Sequence, residues 1–262
     1  MNIGTAKPDP LELQSVPHHL VDILTPDQKY SAGKFFEHCK EIIPQIIHRK
    51  KIPLIVGGTG LYIKCLTEGM SLIDAKDENI YNELENKSKK HGLKKLFNEL
   101  KEVDPEYANM ISENDKVRIL RALEAFLVSN IPFSRIHKEY HTKLPYKFHV
   151  AVLWGDRVKM YDKINLRVKK MFEAGWIEEV KGLLNIGYTP ESPGFRALGY
   201  KEISQYLAEG GDIGKTIDII SQKTRNYAKR QVTWFRHRKD VNFYNTEHLD
   251  VNRFLEIILS EN

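Results

Sequence analysis

The sequence predicts an α/β core interrupted by an all-helical insertion. Two observations carry this. The apolar run Ile52-Pro53-Leu54-Ile55-Val56 leads into Gly57-Gly58-Thr59-Gly60 and a helical pattern from Leu61, the strand–glycine turn–helix order of α/β folds. Residues 74–143, in contrast, are dominated by lysine and glutamate and show no strand pattern. The core is expected over residues 1–73 and 144–262, and the insertion over 74–143.

Taken in order, His19-Leu20-Val21-Asp22-Ile23 reads as a short strand. Residues 32–48 read as a helix, with apolar Phe35, Phe36, Ile42, Ile43, Ile46 and Ile47. The unbroken apolarity of Ile52–Val56 is that of a strand buried on both faces. Within the insertion, Asp104-Pro105-Glu106 opens a helix, with proline in its first turn. Asn114-Asp115 can cap the next, which carries Val117, Leu120, Leu123, Glu124 and Leu127 at helical spacing. The core resumes with a strand over Phe148–Trp154. Asp156 then caps a long helix whose stripe is Tyr161, Ile164, Val168, Met171, Phe172, Val180 and Leu183. A last long helix runs from near Asp212 towards Arg236, and Val241–Tyr244 closes as a strand.

With 262 residues, 41% of them hydrophobic and 29% charged, the chain can bury a sizeable core and does not read as disordered. A net charge of +5 permits a polyanionic partner without demanding one. No apolar run approaches the roughly 18 residues of a membrane span. The first residues do not read as a signal peptide. Cys39 and Cys65 lack metal-type spacing and suit a reducing compartment. A cytoplasmic protein is expected.

Four motifs compete for function. Gly57-Gly58-Thr59-Gly60 could let backbone amides approach a ligand at a helix N-terminus, with Thr59 adding a hydroxyl; a tight turn explains it equally well. Gly210-Gly211-Asp212-Ile213-Gly214-Lys215-Thr216 imitates a phosphate loop but is misspaced, since Glu209 stands where the first glycine belongs. Asp212 is better read as a helix cap. Between Lys223 and Lys239 there are seven lysines and arginines and no acid. At roughly 100° per residue, Arg225, Lys229 and Arg236 share a face opposite Ile213, Ile217, Ile220, Tyr227 and Trp234. That is a core-anchored helix with a cationic edge suited to a phosphate backbone. Finally, Arg196 lies in the glycine-flanked stretch Gly194-Phe195-Arg196-Ala197-Leu198-Gly199-Tyr200, placed for a phosphate fork.

Together these pieces resemble the tRNA dimethylallyltransferases, also called tRNA isopentenyltransferases. The matching stretches are Ile3–Pro8, Val16–Ile23, Val56–Tyr62, Asn114-Asp115 with Arg118 and Arg121–Glu124, Met171–Val180, Arg196–Tyr200 and Tyr227–Arg236. They follow family order to about residue 238. The resemblance implies a P-loop-kinase-like parallel-sheet core with a helical, tRNA-contacting insertion. It also implies transfer of a dimethylallyl group from dimethylallyl diphosphate to N6 of the adenosine 3′-adjacent to the anticodon, with Mg2+. The target base would be flipped into a channel. By position, Arg196 would contact diphosphate. Thr59, flanked by Gly57, Gly58 and Gly60, would line the channel on the adenine side. Arg118 and Arg121, with Arg225, Lys229 and Arg230, would contact the anticodon stem-loop.

The chain departs from the family pattern in several places. The family places a strand, a phosphate loop, a helix and an Asp-Ser strand before the Ile3–Lys7 stretch, and the chain begins two residues ahead of it. The core is therefore expected to be N-terminally truncated, without the loop that grips diphosphate and magnesium and without the general base. Such a chain would expose a sheet edge and be weak or inactive alone, as a monomer or paired with a separate N-terminal fragment. Tyr81 stands where the family often has an arginine, and Val117 replaces a polar position. The rival readings are a non-catalytic tRNA-binding remnant and a small-molecule kinase relative.

Overall fold

The computed structural model describes residues 1–71 and 75–260. The chain divides into two compact units, one formed by Met1–Ile63 with Lys147–Asn262 and the other by Lys64–Tyr146. It passes from the first to the second within one helix.

The first unit opens with α1 (Pro10–Ser15), where Asp9 and Glu12 form a reciprocal capping box. The expected strand His19–Ile23 does not form. Leu20 and Asp22 have φ of +61° and +59°, left-handed values that no extended strand can contain. Ser31 caps α2 (Ala32–His48), which matches the predicted helix and buries Phe36, Cys39 and Ile43 on one face. The Ile52–Val56 run is not a strand either. Among the described residues it pairs with no neighbour, and Leu54 and Val56 are 78% and 85% exposed. A strand exists only through a partner's ladder, which local apolarity cannot supply. Helix α3 (Gly60–Glu68) follows, as the glycine signal predicts.

The second unit holds β1 (Met70–Ser71), α4 (Glu78–His91), α5 (Leu93–Val103), α6 (Pro105–Met110), α7 (Lys116–Ser129), α8 (Phe133–Glu139) and β2 (His141–Thr142). The two short strands pair antiparallel, Met70 with Thr142 and Ser71 with His141, so the unit is not all-helical. Aspartates set the helix starts. Asp77 caps α4, Asp104 caps α6 and Asp115 caps α7, each accepting from backbone amides. Asp104 is buried, and its second oxygen accepts from the Ser134 amide at 2.7 Å. The core gathers Leu84, Leu96, Leu100, Ile119, Leu120 and Leu123. Each such side chain contributes roughly 1.5–3 kcal/mol by burial. The expected α7 stripe is rotated at its ends. Ile119 and Ala122 are buried, whereas Val117 and Leu127 are exposed.

The chain returns to the first unit with β3 (Ala151–Trp154), shorter than predicted. The long helix expected after Asp156 is two helices, α9 (Arg157–Glu173) and α10 (Trp176–Asn185). Gly175 at φ +95° breaks it, a left-handed conformation that glycine adopts without a Cβ penalty. After a 3-10 turn over Pro193–Arg196 come α11 (Tyr200–Glu209), α12 (Ile213–Arg236), β4 (Asn242–Asn245) and α13 (Val251–Ser260). Asp212 caps α12 by accepting from the Gly214 amide at 2.8 Å, so the misspaced phosphate-loop sequence is a helix start. Strands β3 and β4 pair in parallel from Ala151–Asn242 to Trp154–Asn245, with helices as the crossover. Among the described residues parallel pairing stops there, short of the multi-strand sheet expected. The first unit's main core packs Trp176, Val180, Phe195, Tyr200, Ile203 and Ile220.

Candidate functional site

The strip Gly57–Gly60 lies along α12. A Cβ on Gly58 would fall 1.9 Å from the Gln231 amide nitrogen, and one on Gly60 would fall 2.4 Å from the Trp234 indole. Neither has a positive φ; Gly60 is needed for close approach to the rigid Trp234 ring, whereas the Gln231 side-chain end beside Gly58 could give way. A Cβ on Gly57 would meet nothing within 4 Å among the described residues beyond its chain neighbours. Thr59 is exposed between them, and its carbonyl accepts from the Tyr62 amide at 2.9 Å to start α3. Its hydroxyl has no hydrogen-bond partner among the described residues.

Beside this strip, Asn226, Lys229, Arg230, Thr233, Trp234 and His237 line an open concavity of about 520 Å³. Lys229 and Arg230 are exposed and have no acidic partner among the described residues. Arg230 lies over the Tyr227 ring, 5.7 Å from its centroid. Tyr227 is 38% exposed rather than core-facing as expected. Arg225 does not join this surface. Its guanidinium donates to Asn165 at 2.5 Å and sits 5.9 Å from the Tyr161 ring centroid, turned towards α9. Arg236 covers Trp154 at 5.8 Å. Lys223 and Arg238, by contrast, are neutralised by Glu202 and Asp240. The acid-free window of the sequence thus hides two ion pairs, one to another helix and one to a residue just beyond the window.

Arg196 ends the 3-10 turn, exposed and without a partner among the described residues. The turn is anchored on both sides. The Gly194 amide donates to the Pro26 carbonyl at 2.7 Å, and Phe195 is fully buried. A Cβ on Gly194 would come 2.7 Å from the Met1 sulfur.

Sequence reasoning missed the group next to this turn. Glu179 accepts from the backbone amides of Asn2 (2.5 Å), Ile3 (2.9 Å) and Gly4 (3.5 Å) and from the Tyr200 hydroxyl (2.5 Å). Burial alone would raise its carboxyl, but the Tyr200 hydroxyl and the three amides outweigh it and hold the group below its ordinary value. Burial, with Glu179 adding to it, pushes the Tyr200 phenol up. Trp176 packs below, close enough that a Cβ on Gly4 or Gly199 would fall 2.1 Å from its indole. The available signal was an acid on an apolar stripe, since 176, 179, 180 and 183 share one helix face.

In the second unit the two arginines separate. Arg118 is exposed and pairs loosely with Asp115 at 3.3 Å. Arg121 turns inward, donating to the Ala75 carbonyl and to Glu124 at 2.8 Å. Glu124 is buried, and its other oxygen accepts from the Asp77 amide at 2.9 Å. Tyr81 packs against the helical core, and Val117 is exposed. Among the described residues no group of three or more His, Cys, Asp or Glu side chains could hold a metal ion, so none forms a protein cage for the expected Mg2+. No described helix is long and apolar enough to cross a membrane.

Three comparisons bear on this arrangement. The family model described as IPP transferase matches residues 1–238. A tRNA dimethylallyltransferase of Geobacter sulfurreducens is 42% identical over 237 residues, covering 90% of this chain and 76% of that protein. One from Alkaliphilus metalliredigens is 39% identical, covering 99% and 83%. Among solved structures, a tRNA isopentenylpyrophosphate transferase from Bacillus halodurans superposes with a TM-score of 0.68 at 34% identity, over 99% of this chain and 82% of that one. A eukaryotic dimethylallyltransferase acting on tRNA gives 0.77 at 25% identity, over 98% and 67%. The expected loss of a leading segment is not borne out by these matches. A helix-rich α/β chain matched from its first residue to residue 238, and similar in structure over nearly its whole length, belongs to the IPP transferase family.

Proposed function

We propose that this chain transfers a dimethylallyl group from dimethylallyl diphosphate to N6 of the adenosine 3′-adjacent to the anticodon of tRNA. The observation that carries this reading is the cationic concavity of α12 beside the Gly57–Gly60 strip. Lys229 and Arg230 offer uncompensated charge to a phosphate backbone. Thr59 presents a free hydroxyl beside them, able to donate to or accept from a flipped adenine. Arg118, on the insertion, adds a further exposed cation for the anticodon stem-loop.

In the reaction the N6 lone pair attacks C1 of the prenyl group, the C1–O bond breaks, and diphosphate leaves with the electron pair. The N6 proton then passes to a base, a role assigned to none of the residues placed here. Arg196, unpaired and held on a rigid turn, suits neutralisation of the leaving charge. Mg2+ commonly comes to such sites with diphosphate oxygens rather than in a protein cage, and when bound it would supply further neutralisation. The parallel β3·β4 pair is read as part of a kinase-like parallel-sheet core. The chain is taken to work in the cytoplasm as a monomer.

The test is a transfer assay with purified chain, unmodified tRNA, dimethylallyl diphosphate and Mg2+, read by mass of the digested nucleosides. Prenylated adenosine is the expected product. A folded chain that binds tRNA yet yields none would overturn the transferase reading in favour of a non-catalytic tRNA-binding protein.

A further inference from the structure

Three consecutive backbone amides converging on one point form an anion-binding nest. In this chain the nest at Asn2, Ile3 and Gly4 is filled by the chain's own Glu179. The same carboxylate takes the hydroxyl of Tyr200, a fully buried residue at the first position of α11. Two segments far apart in sequence are thereby tied to one side chain on α10.

Arg196 lies between the tied points. On one side Gly194 packs against Met1, whose chain continues directly into the nest. On the other side Phe195 and Tyr200 meet edge to face, with centroids 5.9 Å apart. The two-residue spacing from Gly194 and the four-residue spacing to Tyr200 leave Arg196 little freedom to shift as a unit. We propose that Glu179 is a positioning residue that locks the Ile3–Lys7 loop to the Arg196 turn and so sets the geometry in which Arg196 meets diphosphate. This rests on the reading of Arg196 as the diphosphate contact.

A purely structural staple would lower thermal stability but leave the ligand affinity of the folded protein unchanged. A positioning residue changes affinity for diphosphate and spares affinity for tRNA. The experiment compares wild type, E179Q, R196A and the double variant in the full chain. It uses inorganic diphosphate as the calorimetric probe, tRNA binding as the control, and amide exchange at residues 2–4 to report the nest. E179Q keeps the shape but presents an amide N–H to donors, so the nest should open. Diphosphate affinity should fall about 10-fold in E179Q, with tRNA affinity held. The double variant should bind no worse than R196A, because the two act through one contact.

An E179Q protein with an opened nest and unchanged diphosphate affinity would overturn the proposal while leaving Arg196 in place. Wild type binding diphosphate no better than R196A would overturn the Arg196 reading, and the proposal with it. Should E179Q fail to fold, Y200F decides, because it removes one donor and keeps the charge. A loss of about 3-fold supports the lock, and unchanged affinity sinks it.

Discussion

Arg118 and Arg121 stand three residues apart on one helix, and the sequence treats them alike. In the structure one is a surface cation and the other a structural tie. Arg121→Ala would leave buried Glu124 without its guanidinium, and loss of a partner from a buried pair costs about 3 kcal/mol. Arg118→Ala should change stability by no more than about 0.5 kcal/mol while weakening tRNA binding. Denaturant unfolding and tRNA titration of both variants check the distinction, and equal stability losses would contradict it. Glu179 makes a second prediction at this scale. Its carboxyl is held below the ordinary value of 4.5 in the folded state. Its contribution is therefore fully present above that value and is lost as pH falls through the folded pKa. The stability gap between wild type and E179Q should be flat at neutral pH and narrow in acid. A gap that widens on acidification would mean the carboxylate is not the stabilised form.

At the scale of the element, α12 shows how a stripe drawn from angle alone misplaces charge. Arg225 and Lys229 share a predicted face, yet Asn165 and Tyr161 hold the first and the concavity takes the second. Lys229→Ala and Arg230→Ala should each weaken tRNA binding and reduce its salt slope by about 1. Arg225→Ala should lower stability more than it lowers that slope. Salt-dependent binding curves separate these outcomes. The Ile52–Val56 run gives the complementary case. Leu54→Ser should cost less than about 0.5 kcal/mol because the side chain already faces water. Leu120→Ala, in the second unit's core, should cost about 2–5 kcal/mol. A large loss at Leu54 would restore the buried strand that the sequence suggested.

For the whole molecule, the two cysteines act as built-in reporters. Cys39 and Cys65 are both buried, one in each compact unit, and burial pushes the Cys39 thiol up to about 11. Neither should react with a thiol reagent at neutral pH in the native state. On stepwise denaturation, simultaneous labelling would show the units unfolding together, and staggered labelling would show them unfolding separately. Fast labelling of either thiol under native conditions would contradict its burial.

Many local signals were legible, although the left-handed backbone at Leu20, Asp22 and Gly175 was not. The aspartate caps at 104, 115, 156 and 212, the helix over 32–48 and the glycine turn before α3 all depend on residues within a few positions of one another. The quoted motifs, read as a series, carried the family. Tertiary structure decided everything that needs a distant partner. It left Ile52–Val56 without a ladder and turned Arg121 and Arg225 inward. It also gave Lys223 its acid on another helix and filled the nest at Asn2–Gly4 with a carboxylate from residue 179. A side chain's propensity and charge are properties of its own position, whereas its partner is fixed only when chain closure brings remote segments within the roughly 3 Å of a hydrogen bond.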